Sequence, residues 1–323
     1  MSFFDNTSLT HITVKRYNTI IADWISYLPP HFNNIICLVM FPDISLHALH
    51  THLKSNTPSN RHNYIVPVLS FIGHNKHILS PFSYEHVETI RLRWSDILTT
   101  NDAPITQRRL ENAPTDNQLA KGGVYLKFND FITARDKLPL GSIDRLLIAM
   151  YTMIPPVRAD YYATQFVRGN EIPTEQNFIR ILDDNTMISI INDFKTKKTY
   201  KQLKNDLPPE LIIEIKASLD KFPRSYLFTN SKGKPYTRNS FTVWAGRHLS
   251  TLFGTKFTLV FFRHAFSTNF ITINDMSKIT DAQIKEMSDK MGNSPEMFKA
   301  YRWVKDGNTG EIPLALEESD EKE

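Results

Sequence analysis

The sequence contains one cysteine, Cys37, among 323 residues. A single thiol can form neither an intramolecular disulfide nor a thiolate zinc cluster, so we expect an intracellular, reducing environment. Glycine (11 residues) and proline (18) are too scarce for a collagen-like or low-complexity chain. Long apolar runs are also missing. Residues 35–41, among the longest, fall far short of the roughly 18 residues of a membrane-spanning helix, so we expect no membrane partner.

The composition is that of a globular protein, with 41% hydrophobic and 22% charged residues. The length suits about two domains. The formal net charge is +4, but residues 311–323 hold six acidic residues and one basic residue, a net charge of −5, so the rest of the chain carries +9. A basic body favours a polyanionic partner, because cations that neutralise phosphates release counterions. An ordinary soluble protein can carry the same charge, so motifs must decide.

The first hundred residues predict a helical domain. Residues 13–28 place apolar side chains at spacings of three and four, and Pro29-Pro30 ends the pattern. Weaker helical candidates are residues 46–54, 64–72 and 83–98. Residues 101–123 lose this period, contain two prolines and a glycine pair, and predict a linker.

The second half mixes helical and strand periods. Ser142 is a candidate N-cap of a helix that ends at Pro155-Pro156, with another helix starting near Val157. Three short strands follow, and then helices that include one opened by Pro208-Pro209. The predicted fold is mainly α with a small antiparallel three-stranded β-sheet. Its strands are residues 178–182, 187–192 and 199–207, and its later helices include residues 240–252, 262–273 and 281–291.

Common catalytic motifs are missing. The sequence has no phosphate-binding glycine loop, no Gly-x-Ser-x-Gly elbow and no His-Glu-x-x-His pair. Histidines cluster in the first half, where helical spacing raises a metal site as a possibility, but no carboxylate cluster accompanies them and solvated or capping roles are favoured. These histidines are His47, His50, His52, His74 and His77. We predict no metal and no cofactor.

Four segments of the second half carry cations or a tyrosine in a suggestive order. Arg158 follows the Pro-Pro corner, and a lysine turn occupies residues 195–198. Arg263 lies among phenylalanines, where a cation is rare without a partner anion. Tyr301 closes the series. Taken singly, Arg158 reads as an ion-pair partner of Asp160, the lysines as a solvated turn and Tyr301 as an amphipathic anchor.

Taken together, the segments resemble the tyrosine recombinase (integrase) superfamily over residues 124–304, and in particular integrases of large eukaryotic DNA viruses and their mobile elements. Pro155-Pro-Val-Arg-Ala-Asp-Tyr161 is similar to the first arginine box. Phe262-Arg-His-Ala-Phe-Ser-Thr268 is similar to the second. Met291-Gly-Asn-Ser294 through Tyr301 is similar to the ending that carries the nucleophile, and the Lys-Thr of the turn resembles the family's lysine-bearing hairpin.

The resemblance implies a covalent mechanism. Tyr301 attacks a DNA phosphodiester and forms a 3′-phosphotyrosyl link, which a strand with a free 5′-hydroxyl later reverses. The resemblance implies that Arg158 and Arg263 stabilise the negative charge of the transition state and that Asn293 donates a further hydrogen bond. Site-specific integration, excision or resolution of viral or mobile DNA is the implied function.

The general acid that the resemblance implies is a lysine of the turn. Lys195 is the first choice, but the register of a turn cannot be read from sequence, so Lys197 and Lys198 stay open as the acid or as DNA contacts. His264 is implied to contact phosphate or to support the residues that do. A buried core histidine explains it equally well.

The same resemblance assigns the domains. Residues 1–100 would form a helical core-binding clamp on double-stranded DNA, residues 124–310 the catalytic domain, and the working unit would be a homotetramer. Residues 311–323 form an acidic tail, whose Ile312, Leu314 and Leu316 either dock on a neighbouring subunit or fray. The nucleus or viral factory of an infected cell is the expected location. Candidate backbone contacts, which solvation explains equally well, are Lys15, Arg16, Arg91 and Arg93.

Two positions depart from the family pattern. Val260 stands at a position where the family usually has histidine. Asn293 stands at a position where the family usually has histidine or tryptophan. Valine offers neither a hydrogen bond nor a proton, whereas asparagine still donates. A second hypothesis is therefore a DNA-binding protein on a recombinase scaffold with impaired cleavage. A third, a helical interaction protein, leaves the four segments as coincidence and predicts no salt-dependent DNA binding.

Overall fold

The computed structural model describes residues 3–4, 8–123, 126–169, 173–184, 186–274 and 278–303. The chain divides into two compact units, Met1–Leu110 and Glu111–Glu323. Helices dominate both units, and the second also contains a small mixed sheet. None of the helices in the described ranges is long and apolar enough to cross a membrane. The predicted acidic tail and its apolar dock lie outside the described residues.

The first unit is built around two buried tryptophans. Trp24 and Trp94 are fully buried and meet edge to face with their ring centroids 5.6 Å apart. Their indole N–H groups donate to the Ser45 carbonyl at 2.9 Å and the Val39 carbonyl at 2.8 Å, so each ring fills the core without an unpaired polar atom. The helices are α1 (His11–Tyr27), α2 (Ile35–Met40), α3 (Pro42–His52), α4 (Pro58–His74) and α5 (Tyr84–Leu110).

The start of the predicted linker belongs to α5. Residues 101–110 continue that helix, although they lack an apolar period. Polar contacts hold this part of the helix instead. Asn101 Oδ1 accepts from Arg61 Nε at 2.7 Å, and Asn101 Nδ2 donates to the Pro58 carbonyl at 2.8 Å. A helix fixed by such contacts shows no hydrophobic stripe, so periodicity placed its end too early.

The second unit surrounds one buried helix. Its helices are α6 (Asp116–Leu119), α7 (Phe128–Lys137), α8 (Ile143–Thr152), α9 (Lys197–Tyr200), α10 (Pro209–Lys221), α11 (Arg238–Leu252), α12 (Val260–Ile273), α13 (Asp281–Lys290) and α14 (Pro295–Ala300). Ser142 caps α8 as predicted, with its hydroxyl accepting from Arg145 N at 3.3 Å. Residues 146–151 are fully buried, and α7, α10, α11 and α12 pack around them. This central helix fixes the elements that bear the site.

Within the described ranges the sheet has four strands, β1 (Gln165–Arg168), β2 (Phe178–Ile181), β3 (Met187–Ile191) and β4 (Leu203–Asp206), in that order. The last three form an antiparallel meander, as predicted, but its third strand begins at Leu203 rather than at residue 199, because residues 197–200 form α9. β1 pairs with β2 in parallel, so the prediction of three strands, all antiparallel, is wrong in count and orientation. β1 is a four-residue edge strand with no fully buried residue, and it lacks the alternation that would reveal it.

The chain after α8 forms turns rather than the helix predicted near Val157. Local hydrogen bonds replace helical ones here. The backbone N–H of Arg158 donates to Asp160 Oδ2 at 3.1 Å, and the Tyr151 hydroxyl donates to the Arg158 carbonyl at 2.7 Å. An aspartate that binds the backbone two residues earlier competes with a helix. These bonds hold Arg158 in an irregular segment at the surface of the core.

Candidate active site

The turn between α13 and α14 brings the first arginine and the lysine turn together. Arg158 Nη2 donates to Asn293 Oδ1 at 3.0 Å, and Arg158 Nη1 lies 3.4 Å from the Gly292 carbonyl. Thr196, in the lysine turn, donates its hydroxyl to the same carbonyl at 2.8 Å. Two segments that each lie more than 90 residues from Gly292 in sequence thus share its carbonyl.

Gly292 is the residue that lets this turn form. Its φ is +64°, in the left-handed region that favours glycine, and an added Cβ would lie 3.0 Å from Leu203 Cδ1 and 3.4 Å from the Phe194 ring. A side chain here would press against the end of the sheet. The glycine therefore sets how closely the turn approaches the lysine segment.

Arg263 reaches the same turn from inside the protein. It is fully buried, and its Nη1 donates to the Pro156 carbonyl at 2.7 Å and to the Met291 carbonyl at 3.1 Å. Its Nε and Nη2 find no acceptor among the described residues. Burial lowers the pKa of Arg263, while Tyr301 opposes that change. A buried cation with unpaired donors is costly, which indicates a site made for an anion.

Asn293 adds a further unpaired donor. Only 2% of its surface is exposed. Because its Oδ1 accepts from Arg158, the amide nitrogen is the group left over, and Nδ2 has no acceptor among the described residues. Among the described residues, the site thus contains three buried nitrogens without acceptors, Nε and Nη2 of Arg263 and Nδ2 of Asn293. Donors of this kind suit the oxygens of an anion.

Tyr301 completes the cluster. It directly follows α14, whose N-cap Ser294 accepts from Met297 N at 3.3 Å. The tyrosine is 8% exposed, and the Arg263 guanidinium carbon lies 5.0 Å from its ring centroid. The structure therefore places a phenol, two guanidinium groups and an amide donor close together, and their roles stay predictions.

His264 lies against the backbone of the tyrosine segment. Its Nδ1 is 2.7 Å from the Tyr301 carbonyl, which makes Nδ1–H the donor. The ring stacks on Trp303 with a centroid distance of 3.7 Å and is 7% exposed. Burial lowers its pKa to about 4, so the imidazole is neutral near pH 7. These contacts are those of the buried-histidine alternative, and a direct DNA contact stays a prediction.

We expect His264 to make the free energy of unfolding fall as the pH falls below 6.5. Its pKa in the folded protein, about 4, lies below the ordinary 6.5, so between these values the unfolded chain binds the proton more readily. Stability present above pH 6.5 is therefore lost as the pH falls toward 4, by about 2 kcal/mol between pH 7 and pH 5. Urea unfolding of the wild type and His264→Gln measures this loss. The variant should show a smaller pH dependence, and the exposed His77→Gln should keep that of the wild type. Equal dependence in all three proteins would contradict the prediction.

The lysine turn presents exposed ammonium groups beside this cluster. Lys195 is exposed and directly precedes Thr196, which is anchored on the turn after α13. Lys197 and Lys198 are exposed on the single turn of α9. Thr196 lies between Lys195 and Lys197, so its anchoring ties both lysines to the site and does not select between them. The identity of the general acid stays a prediction.

Val260 opens α12 and is half-buried against the core of the second unit. One turn later, His264 has its Nδ1 committed to Tyr301. An imidazole at the position of Val260 is therefore not replaced by this neighbour. Valine at this position offers neither a proton nor a hydrogen bond.

The predicted backbone contacts of the first unit already have partners in part. Arg91 donates three hydrogen bonds to the Glu88 carboxylate, with distances of 2.5 to 2.9 Å. Arg93 donates to Asp43 at 2.5 and 2.6 Å, and Arg16 donates to Asn63 Oδ1 at 2.6 Å. Lys15 is exposed on α1. A phosphate would have to compete with carboxylates for Arg91 and Arg93, and all four contacts stay predictions.

Sequence reasoning missed three residues that shape the site: Thr196, Arg238 and Trp303. Thr196 was noted only as part of the lysine motif. Arg238 follows Thr237, which forms a capping box with Ser240, so the pattern indicates a helix start and nothing more. Asp160, expected as an ion-pair partner of Arg158, instead pairs with Arg238 at 2.5 Å. Contacts between residues nearly 80 positions apart leave no local signal.

Comparison with known proteins adds little to this geometry. No protein-family model matches the sequence, and no curated protein matches it. Among solved structures, the crystal structure of XerA recombinase is similar over 92% of this chain and 89% of that chain, with 12% sequence identity and a TM-score of 0.38. A likeness of that size assigns no residue a role.

Proposed function

We propose that this protein is a tyrosine recombinase that cuts and rejoins DNA through a 3′-phosphotyrosyl intermediate. Three buried nitrogens without acceptors among the described residues carry this proposal: two on Arg263, whose guanidinium lies beside the ring of Tyr301, and one on Asn293. A phosphodiester supplies oxygens for all three and a phosphorus for the phenol. The resemblance of the four sequence segments to this superfamily supports the same conclusion.

The chemistry follows from these groups. The Tyr301 phenol loses its proton to solvent as its oxygen bonds to phosphorus, and the bond from phosphorus to the 5′-oxygen breaks. Lys195 gives that oxygen a proton and regains one from water. Arg158 and Arg263 balance the charge on the nonbridging oxygens, and Asn293 Nδ2 donates to one of them. The phosphotyrosyl link replaces one ester by another, so a 5′-hydroxyl can reverse it without an outside energy source.

A homotetramer is the unit we propose for recombination. Exchange between two duplexes breaks four strands, and each protomer carries one Tyr301. The first unit would hold the duplex as a clamp. The arrangement of target sites would then decide between integration, excision and resolution of viral or mobile DNA, inside the infected cell in its nucleus or viral factory.

Val260 favours a second candidate function, a DNA-binding protein with impaired cleavage. Valine at the start of α12 can neither accept the tyrosine proton nor donate to phosphate, and His264 is turned to the Tyr301 backbone. In this alternative the arginines and Asn293 still bind a phosphate, and the covalent step is slow or absent.

Trapping of the covalent intermediate tests the proposal. The protein first selects duplexes from a randomised pool, and these are then nicked at successive positions. A nick close to the cleavage site releases a short 5′-hydroxyl fragment, which blocks rejoining. We expect an SDS-resistant adduct in which a protease digest finds the nucleotide on the peptide containing Tyr301. Salt-dependent binding without an adduct at any nick would favour the impaired binder, and failure to bind the pool at low salt would exclude both.

A further inference from the structure

Arg238 joins two parts of the site that the sequence keeps apart. It is the first residue of α11, where the Thr237–Ser240 capping box fixes the helix start. Its Nη1 donates to Asp160 Oδ1 at 2.5 Å, and its Nη2 donates to the Asp193 carbonyl at 3.2 Å. The guanidinium also lies 5.2 Å from the centroid of the Tyr162 ring. One planar group thus bridges the segment of the first arginine and the strand end before the lysine turn.

The first arm of this bridge ends at the backbone of Arg158. Asp160 is 1% exposed, and its second oxygen, Oδ2, accepts from Arg158 N at 3.1 Å. Burial raises the pKa of Asp160, and the Arg238 guanidinium counters part of that rise. Asn177 Nδ2 holds the same residue by its carbonyl at 2.7 Å. The orientation of Asp160, and with it the backbone of Arg158, depends on the guanidinium.

The second arm ends two residues before Lys195. The Asp193 carbonyl accepts from Arg238 and also from Asn177 Nδ2 at 3.1 Å, and the Asp193 N–H donates to Asn177 Oδ1 at 2.7 Å. The Tyr162 hydroxyl donates to the Asp193 carboxylate. The N–H, the carbonyl and the carboxylate of Asp193 therefore all form hydrogen bonds, and the lysine turn starts from a residue that is held in place.

We propose that Arg238 is a positioning residue that sets Arg158 and the lysine turn relative to one phosphate. This inference rests on the proposed function. A flat guanidinium offers two nitrogens in one plane, which suits two acceptors on different segments, whereas an ammonium group is a point donor. Arg238 acts through its neighbours, so it is not itself a catalytic residue.

The test compares Arg238→Ala and Arg238→Lys with Lys195→Ala and with Arg247→Ala, an exposed arginine of the same helix. Each protein cleaves a nicked duplex with oxygen, and one with sulfur, at the bridging 5′ position. A thiolate leaves without a proton, so sulfur should restore cleavage by Lys195→Ala. A displacement of about 1 Å costs on the order of 100-fold. We expect a loss of that size in the cleavage rate of Arg238→Ala on the oxygen substrate. The sulfur substrate should restore only part of the rate, because Arg158 is displaced as well. Arg238→Lys should also lose activity, and Arg247→Ala should not.

A merely structural role would lower both rates equally, since the leaving group does not affect the folded fraction. Equal losses on the two substrates, or no loss, would overturn the inference.

Hydrogen exchange provides a readout that does not depend on cleavage. The amides of Arg158 and Asp193 are held by Asp160 and Asn177, so both should exchange at least tenfold faster in Arg238→Ala, with α12 unchanged. Unchanged exchange at both amides overturns the positioning role whether or not the protein cleaves DNA. If the wild type forms no adduct on either substrate, the proposed enzymatic function fails, and exchange still decides whether Arg238 organises the two segments.

Discussion

Tyr301→Phe should lose all detectable protein–DNA adduct, a fall of at least roughly 10³-fold, the scale seen when a nucleophile is removed. Phenylalanine has no oxygen to bond to phosphorus. Its ring still fills the space beside Arg263, where the guanidinium carbon lies 5.0 Å from the ring centroid, so the site should keep its shape. Gel analysis in SDS on a nicked, selected duplex measures the adduct, and a shift assay without SDS measures binding, which should persist.

Tyr236→Phe is the matched control for this experiment. Tyr236 lies in the same unit, and its ring stacks on Trp244 with the centroids 5.1 Å apart, outside the cluster around Arg263. The control should form the adduct at the wild-type rate. An adduct that survives in Tyr301→Phe would place the nucleophile on another residue and would remove the proposed role of α14.

Arg263→Lys should reduce adduct formation by about 10² to 10³-fold, the cost of removing one oriented donor from an oxyanion site. Lysine keeps a positive charge but has one side-chain nitrogen. It cannot donate to two backbone carbonyls and also replace the unpaired donors Nε and Nη2 of the arginine. Arg263→Met, which removes the charge as well, should lose at least as much. Single-turnover rates of adduct formation, divided by the folded fraction, separate this loss from any change in stability.

Arg224→Lys provides the control, because Arg224 is an arginine with a purely structural set of contacts. Its Nε donates to the Leu227 carbonyl at 3.0 Å, its Nη1 to the carbonyls of Ser218 and Phe222, and its Nη2 to the Ser218 hydroxyl at 2.9 Å. Burial lowers its pKa to about 10. We expect Arg224→Lys to lower stability and to leave the rate per folded molecule unchanged. A comparable rate loss in both variants would show that Arg263 serves the fold alone.

Local patterns explain which parts of the fold could be predicted. The apolar stripe and Pro-Pro end of α1, the Ser142 cap of α8 and the alternation of the meander are each visible within about 15 residues of sequence. The strand β1 and the helical residues 101–110 are not, because an edge strand gains its order from its neighbour and the end of α5 from polar contacts with Arg61 and Pro58. Partners that are distant in sequence decide such elements.

The candidate site divides in the same way. Its arginines, lysine turn and tyrosine stand in motifs, so the sequence could nominate them together through a family resemblance. It could not show that Asn293 is turned by Arg158 to leave its amide nitrogen unpaired, nor that Arg238 spans Asp160 and Asp193. Those facts depend on where the turn after α13 meets the sheet, which no single segment encodes.

The unpaired nitrogens of Arg263 and Asn293 also link folding to binding. Burying these nitrogens without acceptors costs free energy in the folded protein. An anion that binds them in the folded protein, and not in the unfolded chain, offsets this cost and stabilises the fold by mass action. An anion at about 100 times its dissociation constant would add about 2.7 kcal/mol. The second unit would then be least stable when it holds no DNA. Its resistance to heat or proteolysis inside a cell would rise with the fraction of molecules that are bound to a target site.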